Sequence, residues 1–223
     1  MFIKTPDNTY AAEPLLGLDW LIHGFGTRDS GGVWLEPERL AMLNQVHSAT
    51  VVEADGRRGR IADGDALMSA IPGLLVGIRT ADCVPILVVD ERRRVVAAVH
   101  AGWRGTVSGV LPNTVRALAK KFTSRPEDLH VAIGPAIGAC CYEVGADVAR
   151  KLAPWFPERT DLDRTTKVDL AEAVRRQALA AGVQESRIYG AGLCTRCRGE
   201  EFYSYRREGT AAGRMISLAG IRF

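Results

Sequence analysis

Residues 74–106 read LLVGIRTADCVPILVVDERRRVVAAVHAGWRGT, and this stretch decides the fold. The apolar runs Leu74–Ile78, Val84–Val89 and Val95–Val99 are each too short for a buried helix and have the usual length of a buried strand. A short polar link joins the first two runs, a polar turn joins the last two, and the third run ends at His100. The stretch therefore predicts three buried strands.

Helical patterns and further apolar runs follow this stretch. An amphipathic pattern predicts a helix over Val107–Phe122, with Pro112 near its first turn. A second helix is predicted at Asp169–Ala181, with Asp169 as N-cap and Gly182 just past its end. We also expect a helix around Ala146–Leu152 and strands at Leu129–Ile133, Ile188–Leu193 and Met215–Leu218. Because the sequence contains no repeat and no linker, this alternation predicts one mixed α/β domain over residues 1–223.

The composition is that of an ordinary globular chain, with 47% hydrophobic and 25% charged residues among 223. The apolar runs fall far short of the roughly 18 residues that a membrane helix needs, and Met1–Tyr10 lacks the apolar core of a secretory signal. We therefore expect a cytoplasmic protein without a membrane partner. A net charge of +3 is too small to indicate nucleic-acid binding. The basic clusters at 57–60 and 92–94 are interpreted as solvated turns.

Four histidines and five cysteines limit the chemistry that the chain can perform. Four histidines are too few for an elaborate metal centre, and an odd number of cysteines argues against a disulfide framework. Cys194 and Cys197 form a C-x-x-C pair, which could be a redox motif or half of a zinc site, although no second such pair accompanies it. The adjacent Cys140 and Cys141 are interpreted as one residue that packs inward and one that is idle.

Three metal-capable side chains occupy similar positions relative to the predicted elements. His47 follows the run LNQV, Cys83 lies in the link between two strands, and His100 ends a strand before a glycine-bearing loop. Imidazole and thiolate suit Zn²⁺, and three protein ligands with an open fourth position are typical of catalytic zinc. The same spacing is compatible with hydrogen-bonded histidines and a core cysteine. His23 and His130 are interpreted as structural.

Several carboxylates and one amide lie beside these side chains. Asp82 precedes Cys83 and could orient a metal-bound histidine, act as a base, or cap a turn. Asn44, a candidate substrate contact, lies three residues before His47. Asp63 and Asp65, on either side of Gly64, are interpreted as turn residues.

Two arginines are candidates for binding an anion. Arg104 lies between two glycines just before a predicted helix, where backbone donors and a guanidinium could face the same phosphate or carboxylate. A solvated arginine in a surface turn is the alternative interpretation. Arg28 lies in a glycine-flanked loop and could also contact an anion.

A set of sequence strings, in this order along the chain, closely resembles the YfiH-like family, which has carried the labels laccase domain and multicopper polyphenol oxidase. The resemblance runs from about His23 to the C-terminus. The strings are NQVHS at 44–48, DA at 65–66, TADCVP at 80–85, VHAGWRG at 99–105, IGPAI at 133–137, CYEV at 141–144 and FYSYRR at 202–207.

The resemblance implies a single domain with mixed β-sheet layers flanked by helices, and a zinc site whose ligands are His47, Cys83 and His100. It also implies purine nucleoside phosphorolysis, in which adenosine or inosine reacts with phosphate to give the base and ribose 1-phosphate. Methylthioadenosine phosphorolysis and adenosine deamination are associated with the same site. Cys194 is the member of its pair that matches the family.

Phosphorolysis requires phosphate to be bound and aimed at the anomeric carbon. Arg104, Arg28 and the pair Arg206-Arg207 are the candidates for this role, and the expected partners are a nucleoside and phosphate. The sequence does not specify the oligomeric state.

Three other enzyme activities and one binding role remain open. Some family members are tied to editing peptidoglycan precursors that carry the wrong amino acid, for which a zinc hydrolase would suffice. A copper polyphenol oxidase would need a trinuclear centre for which four histidines are too few, so zinc is expected and copper is the alternative. A thiol hydrolase would use Cys83 as nucleophile. A partner-binding module has no exposed apolar stripe or charge block to support it.

Overall fold

The computed structural model describes residues 1–30 and 37–223, and within them the chain forms fifteen strands and five α-helices. The strands are β1 Phe2–Lys4, β2 Tyr10–Ala12, β3 Leu21–Phe25, β4 Leu40–Asn44, β5 Val51–Glu53, β6 Gly59–Asp63, β7 Ala66–Ser69, β8 Leu75–Thr80, β9 Val84–Asp90, β10 Val95–Ala101, β11 Leu129–Ile133, β12 Glu143–Val144, β13 Thr166–Lys167, β14 Ile188–Gly190 and β15 Met215–Ile221. The helices are α1 Trp103–Val107, α2 Val110–Phe122, α3 Ala146–Leu152, α4 Leu170–Ala180 and α5 Tyr205–Glu208.

The strands form two large sheets and one small one. The first sheet has the order β1-β2-β3-β15-β8-β4-β6, the second has the order β14-β11-β9-β10-β7-β5, and β12 pairs with β13. The pairs β4–β6, β4–β8, β5–β7 and β11–β14 are parallel, whereas the central pairs of both sheets are antiparallel. The prediction of an α/β domain with mixed sheets and flanking helices is confirmed.

Two hydrophobic cores explain how the sheets and helices are layered. Strands β9 and β10 are buried along their whole length, so successive side chains point into different cores. Leu87 and Val89 pack in a core shared with Val76 and Ile78 of the other sheet. The alternate residues of β9 pack with α2 and α4 in a second core. The molecule is therefore a three-layer structure of sheet, sheet and helices.

The predicted helix at Val107–Phe122 is wrong at its start. Gly109 adopts a left-handed backbone with φ of 76°, which separates the short α1 from α2. Pro112 lies in the first turn of α2, where its missing N–H has no helical partner to lose. The other two helices are confirmed, and the Asp169 side chain accepts the backbone N–H of Glu172 as an N-cap.

The predicted strands are confirmed, with corrections to their bounds. Strand β8 is Leu75–Thr80 rather than Leu74–Ile78, β9 continues to Asp90, and β10 continues to Ala101. Strand β14 ends at Gly190 rather than Leu193, and β15 continues to Ile221 beyond the predicted Leu218. The strands β1 to β6 carry no long apolar run, and the sequence pattern did not predict them. No helix in the described residues is long and apolar enough to cross a membrane.

Candidate metal centre and cavity

Three side chains that could bind a metal converge at one end of the central strands β9 and β10 of the second sheet. His47 follows β4, Cys83 lies between β8 and β9, and His100 is the sixth residue of β10. Their ligand atoms all lie within 4.8 Å of one another. The two imidazole rings meet edge to face, with 4.9 Å between their centroids. The structure thus brings together the three residues that the sequence analysis grouped.

The pairing of β9 with β10 places two of these ligands side by side. Strand β9 runs antiparallel to β10, with His100 opposite Pro85 and Ala101 opposite Val84. Cys83 immediately precedes β9, so it lies beside the end of β10. Gly102 is required at this point, since a Cβ there would lie 2.9 Å from His47 Cδ2 and 3.1 Å from the Cys83 sulfur. The backbone must pass close to both ligands, which only glycine permits.

Asp65 anchors the two histidines. It is fully buried, and its Oδ1 lies 2.8 Å from His100 Nδ1 and accepts the backbone N–H of His47 at 3.1 Å. Its Oδ2 accepts the backbone N–H and the hydroxyl of Ser48, at 2.6 and 2.8 Å, and the N–H of Val46 at 3.3 Å. The bond to Nδ1 leaves His100 Nε2 as the nitrogen available to a metal. Asp65 was interpreted as a simple turn residue, so its role as the anchor is a finding of the structure.

The His47 loop is held in an unfavourable backbone conformation. His47 has φ of 58°, in the left-handed region that costs a non-glycine residue free energy. The three consecutive N–H groups of Val46, His47 and Ser48 all point at the Asp65 carboxylate. These bonds hold the loop in place and fix the direction of the His47 side chain.

Hydrogen bonds outweigh burial in setting the pKa values of Cys83, His100 and Asp65. Burial acts to raise the pKa of Cys83, but hydrogen bonds from His100 and His47 lower it to about 6. Burial acts to lower the pKa of His100, and its bonds to Asp65 and Cys83 raise it to about 9. Burial opposes ionisation of Asp65 as well, yet the bonds from His100 and Ser48 lower its pKa to about 2. The cluster therefore favours the thiolate form of Cys83, which is the form that binds a metal.

Within the described residues, Asp82 bonds to two other segments of the chain rather than to a histidine. Its Oδ1 accepts the Thr195 hydroxyl at 2.6 Å, and its Oδ2 accepts the backbone N–H of Arg206 at 2.6 Å. Asp82 itself has φ of 86°. Both carboxylate oxygens are thus used to join the link before Cys83 to the segments around 195 and 206. Asp65, not Asp82, orients the histidine.

The ligand cluster opens into a cavity of about 940 Å³, a size typical of small-molecule sites. Arg104 and Arg206, two of the predicted anion-binding residues, line it. The Arg104 guanidinium lies 4.5 Å from the centre of the Trp103 ring, and Arg206 lies 5.3 Å from that of Tyr142. The cavity therefore combines cations with aromatic faces, which suits an anionic group joined to a planar ring.

Two further arginines, neither of them predicted from the sequence to bind a ligand, also line the cavity. Arg79 is half-buried, and it has no ion pair within residues 1–30 and 37–223. Burial, Arg60 and Arg214 all act to lower the pKa of Arg79, so its charge is held among other cations. Arg214 also lines the cavity. The sequence of β8 does not predict a functional role for Arg79, because no neighbouring residue marks this position as part of a site.

Four of the residues predicted to bind phosphate or substrate do not line this cavity. Arg207 donates to the carbonyls of Thr195 and Phe202, at 2.9 and 2.6 Å. Arg28 donates to the Phe202 carbonyl at 3.1 Å and pairs with Glu208, and its guanidinium stacks on Tyr203. Asn44 is exposed, and its amide donates to Asp63 at 3.1 Å. Cys194 belongs to a separate group of cysteines.

The residues present fit a metal ion. The ligand atoms of two imidazoles and a thiol lie within 4.8 Å of one another. A buried carboxylate orients one imidazole, and glycine at 102 leaves room that a Cβ would take. Three protein ligands in an open cavity are the arrangement of a catalytic rather than a structural metal site. The fold and the site together define an α/β protein with a His₂Cys cluster, able to hold a metal ion, in the lining of a cavity that also contains four arginines.

The chain belongs to the YfiH-like family. The family model described as "Multi-copper polyphenol oxidoreductase laccase" matches residues 30–222. A relative from Deinococcus radiodurans, named purine nucleoside phosphorylase, is 42% identical over 81% of this chain and 70% of its own. A protein of an unidentified prokaryote, named adenosine deaminase RL5, is 33% identical over 80% of this chain and 73% of its own. The crystal structure of YlmD from Geobacillus stearothermophilus superimposes with a TM-score of 0.89 and 31% identity, covering 100% of this chain and 99% of that one.

Proposed function

We propose that the chain is a zinc-dependent purine nucleoside phosphorylase. The observation that carries the proposal is a cavity lined by four arginines that opens directly over the His47, Cys83 and His100 cluster. Relatives named purine nucleoside phosphorylase support the same reaction. Zinc suits two imidazoles and a thiolate with an open position, and copper is the alternative metal.

In this proposal the arginines bind phosphate and the aromatic rings bind the purine. Arg79 and Arg214 supply positive charge to the cavity. Within the described residues Arg79 forms no ion pair, and its charged neighbours Arg60 and Arg214 are also cations. Two charge-assisted hydrogen bonds to phosphate from one guanidinium would fix its orientation. Trp103 and Tyr142 line the same cavity and would supply aromatic contacts to the base, beside the Arg104 and Arg206 guanidinium groups that lie over their rings.

The reaction forms a bond between a phosphate oxygen and C1′ of the ribose and breaks the bond from C1′ to the purine nitrogen. The purine leaves with the electron pair of that bond and takes up a proton, and the product is ribose 1-phosphate. His47, Cys83 and His100 would hold the zinc, which when bound supplies a Lewis-acidic positive charge at the cavity floor. The chain's own contribution is to hold phosphate in line with C1′, as proximity catalysis requires.

The test is phosphate-dependent cleavage of adenosine by zinc-loaded protein. We expect adenine and ribose 1-phosphate in equal amounts, and loss of this activity in C83S. The exposed Asp63 offers a matched control, since D63N changes a carboxylate near the cluster without touching a ligand. Absence of any phosphate-dependent product from zinc-loaded wild-type protein would refute the proposal.

The same assay separates the other activities. Adenosine deamination, suggested by the name of the RL5 relative, would give inosine and ammonia without phosphate. A peptidoglycan-precursor hydrolase would cleave an amide without phosphate, and a polyphenol oxidase would consume oxygen only with copper. A thiol hydrolase would keep its activity after zinc removal, because Cys83 itself would be the nucleophile.

A further inference from the structure

Four of the five cysteines lie together outside the cavity. Cys140, Cys141, Cys194 and Cys197 have their sulfur atoms within 4.8 Å of one another. Two come from the loop after β11, and two from the loop after β14. We propose that these four cysteines form a second, structural zinc site that clamps the two loops together.

The sulfur distances fit a tetrahedral metal site. Cys197 Sγ lies 3.6 Å from Cys140 Sγ and 3.4 Å from Cys141 Sγ. Four sulfurs at the usual zinc–sulfur length of about 2.3 Å stand about 3.8 Å apart along each tetrahedron edge. A disulfide would bring one pair to about 2.0 Å and leave the others apart. Since Cys197 is nearly equidistant from two partners, the arrangement resembles a shared ligand sphere rather than one bridge.

The backbone around Cys194 has features of a thiolate ligand turn. The N–H of Gly138 donates to the Cys194 sulfur at 3.3 Å. The N–H of Cys197, three residues on, also stabilises this sulfur as a thiolate, and Arg198 N–H donates to the Cys194 carbonyl at 3.1 Å. Backbone N–H groups that orient a ligand and offset its charge are a common second layer around metal ions.

The clamp would stabilise one wall of the cavity. Tyr142 and Glu143, which line the cavity, directly follow the first cysteine pair. Thr195, inside the second pair, donates to Asp82 at 2.6 Å, and Asp82 adjoins the ligand Cys83. The proposed zinc would thus take no part in the reaction. It would be connected to the cavity by the chain from Cys141 to Glu143 and by the hydrogen bond from Thr195 to Asp82.

The test is the zinc content of the purified full-length protein and its variants. We expect about two zinc ions per wild-type chain, one for each site, and about one in C83S and in the double variant C140S/C197S. The two cysteines of the double variant are exposed, so their replacement perturbs packing little. A sulfur-only zinc shell at about 2.3 Å in X-ray absorption of C83S would identify the four-cysteine site without altering it.

Several results would overturn the proposal. Wild-type protein with one zinc that C83S removes would show that the cluster binds none. Iron in place of zinc would also refute it, as would a mass spectrum showing disulfides among these four residues. Because zinc content is measured independently of turnover, failure of this proposal leaves the phosphorylase proposal standing, and the reverse holds too.

Discussion

Replacement of Asp65 by asparagine tests how the metal centre is organised. D65N keeps the shape of the side chain but exchanges one carboxylate oxygen for an NH₂ group. The five hydrogen bonds to Asp65 all come from donors, two at Oδ1 and three at Oδ2. Wherever the amide oxygen is placed, the NH₂ group faces donors on the other side.

In the least costly arrangement the amide oxygen faces the three donors of Val46 and Ser48. The NH₂ group then faces Nδ1 of His100, so Nδ1 must become the acceptor and the ring proton must move to Nε2. That nitrogen is the one available to the metal, so the variant carries a proton where the lone pair is needed. Loss of an outer partner of this kind typically weakens metal binding by about 10- to 100-fold, or roughly 1.4–2.7 kcal/mol.

The assay is zinc competition against a chromophoric chelator, in the C140S/C197S background so that only one site is titrated. D65N should shift the zinc dissociation constant upward by about 10- to 100-fold. D63N, on the other side of Gly64, should bind zinc like the parent, because Asp63 is exposed and contacts only Asn44 in the described hydrogen bonds. Unchanged zinc affinity in D65N, or an equal loss in D63N, would show that Asp65 does not orient the ligand.

Three further predictions address the approach to the ligands, the phosphate site and acid stability. G102A should weaken zinc binding and reduce activity at least about 10-fold without unfolding, because its Cβ would press on His47. A fully active G102A would contradict the close approach of the Gly102 backbone to His47. R79A should raise the KM for phosphate about 10- to 100-fold with little change in the KM for nucleoside, and R79K should recover part of the loss. Burial lowers the pKa of His23 to about 4 from its ordinary 6.5. Between these two pH values His23 is therefore protonated in the unfolded chain and mostly neutral in the folded chain. Unfolding free energy should therefore fall by about 3 kcal/mol as pH drops from 6.5 to 4, and urea titrations of H23Q should lack most of this slope.

The strand pattern could be predicted from the sequence wherever burial is continuous. Strands β9 and β10 lie in the middle of the second sheet between two cores, so each is apolar along its length and stands out in the sequence. Strands β5 and β6 lie at sheet edges and are partly exposed, and their residues resemble those of a loop. Edge position, rather than length alone, explains why they were missed.

The four-cysteine cluster could not be predicted from spacing. Its two pairs lie more than fifty residues apart, and only one of them has the C-x-x-C spacing of known metal ligands. They meet because β14 runs parallel to β11, and because Ala136 forms a parallel bridge with Cys194 just beyond those strands. A parallel pairing across such a distance leaves no local signal, and the sequence therefore predicts only one inward-packing and one idle cysteine for the adjacent pair.

The candidate metal centre, by contrast, follows from three strand registers. A four-residue turn joins β9 to β10 and sets Val95 opposite Asp90, so the strand that ends at His100 returns beside the residue before β9, which is Cys83. On the other side of β10, Val99 pairs with Ala66, which places Asp65 next to His100. Strand β5 runs parallel to β7 with Val51 opposite Ala66, so the His47 loop just before β5 lies over the same carboxylate. A one-residue slip of β10 against β9 or β7 would move His100 to the opposite face of the sheet and separate the candidate ligands. The polar Asp65, buried between them and bonded to both ligand segments, makes such a slip costly, because it would leave a buried carboxylate without its donors. The same side chain therefore fixes the sheet register and orients the metal ligand, and a variant that loses one should lose the other.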